Sequence, residues 1–170
     1  NSSEPVAVLG STVRANPEKV VLYIPDSIGC YAETRTLACQ AQLINTTTLM
    51  FRIEQFDRQF PMRFDPCQCP GLIMINSIAV FDAVNHGVVW ELGAHDSAEP
   101  TITGTAVPVH PSAPFNGGGL RKIWRWNKKS QQPFTVISTG VDPQLILPIL
   151  PSNVGFPLIM SVEMKLIPYE

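Results

Sequence analysis

Sixteen prolines are scattered from Pro5 to Pro168, and no window of about fifteen residues keeps a helical period without meeting one or a turn cluster. A proline inside a helix removes a backbone donor and clashes with the preceding turn, at a cost of about 3 kcal/mol. Long helices are therefore excluded, and what recurs instead is alternation. "KVVLYI" sets Val20, Leu22 and Ile24 on one side. "TLMFRIEQF" sets Leu49, Phe51 and Ile53 against Arg52 and Glu54, and "SVEMKLI" sets Val162, Met164 and Leu166 against Ser161, Glu163 and Lys165. A period of two with one apolar side is the mark of a half-buried strand.

Other runs are apolar on both sides. "GLIMINSIAVF" (71–81) and "GVVWELG" (87–93) predict strands covered on two faces, joined as a hairpin by "DAVNHG", where Asn85 and Gly87 suit a tight turn. "PTITGTAVPV" (100–109), "LRKIWRWNK" (120–128) and "FTVIST" (134–139) add β-branched or alternating strands. "QLILPIL" (144–150), split by Pro148, fits a short edge strand or a buried connection. Eight to ten strands with little helix predict an all-β chain, an antiparallel β-sandwich and most economically an eight-stranded jelly roll. Residues 1–16 form an N-terminal arm, and residues 17–170 form the sandwich domain. An immunoglobulin-like sandwich fits less well, since no Cys–Trp–Cys spacing occurs.

Charge then constrains the partners. Charged residues make up 15% of the chain, against about 25% in ordinary domains. A chain this poor in charge lacks the polar surface to coat itself, and contact with other copies is the simplest remedy. The net charge of −2 offers no global attraction to nucleic acid or anionic lipid. No uninterrupted apolar run of about 20 residues exists, so no bilayer-spanning helix and no membrane partner are expected.

Catalytic motifs are absent. There is no G-x-S-x-G, and nothing ties a histidine to the cysteine of "SIGC". "NGGGLRK" lacks the spacing of a phosphate-binding loop. His86, His95 and His110 stand singly, and the four cysteines are too few for a disulfide scaffold, although Cys30 and Cys39 could face each other across a turn. The chain is read as not an enzyme. "FDRQFPMRFDP" carries Asp57 and Asp65 around Arg58 and Arg63. Hard oxygen ligands at subunit contacts would suit Ca²⁺, the one cofactor considered. The simpler reading pairs each aspartate with an arginine. "ELGAHDSAE" gathers Glu91, His95, Asp96 and Glu99, as a solvated loop or a pH-sensitive contact.

The stretch "GGGLRKIWRWNKKSQQP" (117–133) holds five of the twelve basic residues and two of the three tryptophans. Arg121, Lys122, Arg125, Lys128 and Lys129 would neutralise phosphates while tryptophan stacks on bases. Alternatively, Trp124 and Trp126 form a subunit contact or pack in the core, since tryptophan and arginine are enriched at interface centres. Membrane contact is a third reading, with no amphipathic helix to support it.

The strand count, the arm "NSSEPVAVLGSTVRANP" and the closing strand "GFPLIMSVEMKLIPYE" resemble the single jelly-roll coat proteins of very small icosahedral viruses, satellite viruses among them. The resemblance is architectural and covers about residues 17–168. It implies a capsid subunit in a virion, closing a shell with copies of itself, with genomic RNA or DNA on the inner face. That family usually carries an Arg/Lys-rich arm, whereas residues 1–16 hold only Arg14. Either the arm was trimmed, or the five bases between Arg121 and Lys129 do its work. The alternative is a secreted trimeric jelly-roll module, TNF/C1q-like or carbohydrate-binding, which needs occupied sequons at Asn1 or Asn45 and a Cys30–Cys39 bridge. A β-scaffold enzyme of cupin type would need clustered histidines.

Overall fold

The alternating stretches become strands of one antiparallel sheet in the computed structural model, which describes residues 17–94, 97–109 and 133–169. The strands are β1 (Glu18–Tyr23), β2 (Thr36–Ala41), β3 (Thr46–Ile53), β4 (Arg63–Asp65), β5 (Gly71–Asp82), β6 (Val88–Glu91), β7 (Thr101–Pro108), β8 (Phe134–Ile146) and β9 (Leu158–Pro168), with one 3-10 turn at Glu33–Arg35. Their order is β2-β1-β4-β8-β5-β9-β3, with β6 added to β5 and β7 to β8. The Cys39 thiol donates to the Met50 carbonyl (3.6 Å), and the Gln42 N–H donates to Thr47 Oγ1 (3.1 Å). Through these bonds the outer strands β2 and β3 nearly meet, and the sheet almost closes on itself. The all-β, antiparallel, sandwich-like fold is as the alternation predicts, with nine strands among the described residues.

Burial follows period two. Leu49, Phe51 and Ile53 of β3 face Ile73, Ile75, Ile78 and Val80 of β5 and Met160, Val162 and Met164 of β9 within one core. Phe51 and Phe64, both buried, meet edge to face at 6.1 Å and tie β3 to β4. In β1 the half-buried reading is corrected. Val21 and Tyr23 are buried along with Val20 and Leu22, because β1 lies between β2 and β4 and Tyr23 packs under Arg63.

A single register runs through Arg63↔Ile146, Phe64↔Leu145 and Gly71↔Ser138, so β4 and β5 lie end to end along β8. Between them, residues 66–70 ("PCQCP") leave the ladder. On the far side of β8, residues 139–142 bulge out against Thr105, since Ser138 pairs with Ala106 and Pro143 with Gly104. Gly104 has φ +67°, and a Cβ there would run into the Asp142 carbonyl oxygen. Gly104→Ala is expected to cost about 3 kcal/mol, from left-handed strain plus displaced backbone. Chemical denaturation would measure it.

Further expectations change here. "QLILPIL" is not a separate strand: residues 144–146 finish β8, and Pro143 is accommodated at the bulge, where regular pairing is broken. The hairpin of β5 and β6 is present, but the left-handed residue of its turn is His86 (φ 60°), since Gly87 donates its N–H to Asn85 Oδ1 and Asp82 organises the turn from outside. The expected strand at 120–128 and the arm at 1–16 lie outside the described residues.

Candidate functional site

Four loops connect strand ends at one end of the sheet: 24–35, 54–62, 83–87 and 147–157. Their mutual contacts form a chain. The Tyr31 hydroxyl donates to the Pro61 carbonyl (2.8 Å), and Arg58 Nη1 donates to the Pro151 carbonyl (3.4 Å). Phe56 and Phe156 pack edge to face at 5.5 Å, and the Ala83 N–H donates to the Pro157 carbonyl (3.0 Å). A cleft of about 600 Å³ opens between loops 54–62 and 147–157, lined by Phe56, Arg58, Leu150 and Phe156 among others.

Three of these loops are held from within by an aspartate, and two of those present apolar tips. Asp26 Oδ1 accepts the N–H groups of Ile28 (2.9 Å) and Cys30 (2.8 Å). Asp82 Oδ1 accepts those of Val84 (2.8 Å) and Asn85 (3.2 Å). Asp57 Oδ1 accepts that of Gln59 (3.0 Å). Each aspartate thereby fixes the residue two positions on, the Asx turn that short acidic side chains favour. The residues presented are Ile28, 73% exposed, and Val84, 76% exposed, with Ile149 at 60% on the neighbouring loop. Hydrogen bonds from the Cys30 and Ile28 amides hold the Asp26 carboxyl below its ordinary range, and those from Val84 and Asn85 do the same for Asp82. Both carboxylates therefore hold their turns to a lower pH than an ordinary aspartate would.

Beneath the loops lies one polar node. Arg63 donates from Nε and Nη2 to the two carboxylate oxygens of Asp65, at 2.8 and 2.6 Å, and its Nη2 stands 3.7 Å from Asp142. Its guanidinium lies 4.2 Å from the ring centre of Tyr23 and 5.7 Å from that of Tyr31. The Tyr23 hydroxyl donates to Glu33 (2.6 Å), and that bond to a carboxylate, with burial, pushes its pKa up to about 12. Burial pushes the Asp65 carboxyl up by more than the bonds and charge of Arg63 pull it down. Asp65 in turn holds Arg63 above its ordinary value. The node joins loop 24–35 to β4 and to the bulge of β8.

The candidate metal ligands are thus separated in role. Asp65 is bound by Arg63, as the pairing reading expects, whereas Asp57 spends an oxygen on its own turn. Among the described residues, no group of three or more His, Cys, Asp or Glu side chains is placed to hold a metal ion. All four cysteines are free. Cys30 is exposed at the Asp26 turn, and Cys39 lies at the β2/β3 seam. Cys67 is buried, and that burial raises its thiol to about 12, which keeps it neutral. No helix among the described residues is long and apolar enough to cross a membrane. Arg121, Lys122, Trp124, Arg125, Trp126, Lys128 and Lys129 lie outside the described residues, as do His95 and Asp96 of the acidic loop.

Sequence reasoning passed over Ile28, Val84 and Ile149. The signal for two of them was present: "PDSIG" and "FDAVN" both place an apolar residue two after an aspartate beside turn formers. Comparison with protein-family models, with curated proteins and with solved structures finds no match to this chain.

Proposed function

We propose that this chain is a structural protein, a self-assembling coat subunit that encloses a nucleic-acid genome in a virion. The observation that carries the reading is the loop end. Water-exposed isoleucine and valine side chains sit on turns already fixed by internal hydrogen bonds. Such tips lose little conformational freedom on contact, and cutting that loss is how pre-organised surfaces gain affinity. A charge content of 15% points the same way, toward a surface that copies of the chain cover. In this reading Arg121, Lys122, Arg125, Lys128 and Lys129 meet the genome, and Trp124 and Trp126 strengthen the contacts between subunits.

Sedimentation velocity and electron microscopy of the purified chain test the proposal. Large closed particles carrying nucleic acid are the expected result, with dissociation at high salt as the phosphate contacts weaken. A chain that sediments as a monomer at all salt concentrations removes the reading.

A further inference from the structure

The strand β5 carries an apolar pattern that the single chain does not use up. Its inward residues Ile73, Ile75, Ile78 and Val80 are fully buried. Its outward residues Leu72, Met74, Ala79 and Phe81 are apolar too, yet only partly buried. A strand with one wet face ordinarily places polar residues there, and a strand apolar on both faces belongs between two layers. The neighbouring strands repeat the pattern. Register places Ile167 of β9, Leu72 of β5, Ile137 of β8 and Val107 of β7 in one outward row. Two steps along β9 beyond Glu163, a second row sets the small Ser161 of β9 against the small Ala79 of β5, with Met50 of β3 beside Ser161 and Glu91 of β6 beside Ala79. Between the two rows stand Lys165 and Glu163, outward and two residues apart, with Glu163 Oε1 accepting from Asn76 Nδ2 (2.8 Å).

We propose that this outward face, formed by β3, β9, β5 and β8, stacks against the same face of a second copy about a two-fold axis. The axis lies in the face, across β9 and midway between Glu163 and Lys165. It sets Lys165 of each copy against Glu163 of the other. It also brings the bulky Leu72 and Ile167 row over the partner copy's small Ala79 and Ser161 row, so that large side chains meet small ones. The occupant is a second copy because the face is its own complement in charge at Glu163 and Lys165 and, along β5 and β9, in relief. A two-fold contact requires that of one surface. The stacking is a different surface from the loop end and does not depend on the coat reading.

Charge reversal tests it on the full chain, under conditions where larger particles are dissociated, by sedimentation equilibrium. The unaltered chain is expected to dimerise. Lys165→Glu alone and Glu163→Lys alone should each weaken dimerisation by about tenfold or more, since like charges then meet across the axis. An equimolar mixture of the two variants should recover it as a heterodimer, in which every charge again faces its opposite. Leu72→Glu, which keeps the core intact, should weaken dimerisation by about a hundredfold. A monomeric unaltered chain overturns the proposal. So does a mixture that fails to recover, since Glu163 and Lys165 would then not face each other across the axis. Thermal unfolding of each variant confirms that the sheet itself is intact. Particles that form while subunits do not pair by this face would remove the stacking and leave the coat reading standing; pairing without particles would do the reverse.

Discussion

Arg63→Met is expected to destabilise the fold by about 3–5 kcal/mol, the largest single effect of any side chain outside the apolar core. Arg63 and Asp65 are only 18% and 10% exposed at their side chains. Removing the guanidinium leaves a buried carboxylate without the partner that binds both its oxygens, and takes the cation from the faces of Tyr23 and Tyr31. The double variant Arg63→Met/Asp65→Asn should recover much of the loss, because the uncompensated charge goes with its partner. The pH dependence follows from Asp65. Its folded-state pKa lies above the unfolded value, so its contribution to stability is fully present below about pH 4, the ordinary carboxylate pKa, and is lost as pH rises through the folded pKa. Without Arg63 that pKa climbs further. The variant's deficit should therefore shrink as pH is lowered from 7, as urea denaturation across a pH series would show. A deficit that stays constant with pH would mean that Asp65 finds another cation.

Ile28→Asp/Val84→Asp is expected to abolish assembly while leaving the isolated subunit folded. Both side chains point into water, and exposed substitutions ordinarily change stability by no more than about 0.5 kcal/mol. As centres of a contact, however, each would contribute about 2 kcal/mol, so the pair should weaken association by a hundredfold to a thousandfold. Asp26→Ala provides the subtler comparison. It leaves Ile28 in place but releases its turn, so association should weaken through lost pre-organisation alone. Sedimentation velocity reads both. A double variant that assembles normally would show that the loop end faces solvent in the assembled form.

The fold class was legible for a simple reason. Burial on one side of a strand demands period two, and β3 and β9 obey it from Leu49 to Ile53 and from Leu158 to Leu166. Strands that end on turn chemistry were equally plain, as at Asp82 and Gly87. Short strands were not. β2, "TLACQA", mixes small and polar residues because it lies at an edge where neither face is fully covered. β4 has only three residues, too few to show any period, and it exists because β1 and β8 flank it. The same pairing gave "FDRQFPMRFDP" its meaning: Arg63 and Asp65 are two apart on a strand, hence on one side of it and within bonding reach.

The amino-acid sequence by itself determined that the chain would be antiparallel β-structure around one apolar core, since proline spacing and alternation act locally and need no partner. It also carried the excess of apolar side chains that any assembly must hide. Only the tertiary structure decided where that excess lies. Which loops gather at one end, and which face of β5 is left half-covered, depend on pairings between residues far apart in the chain, such as Gly71 with both Ser138 and Pro168. No local pattern encodes those, because a strand's preference is satisfied equally well beside any neighbour of matching register.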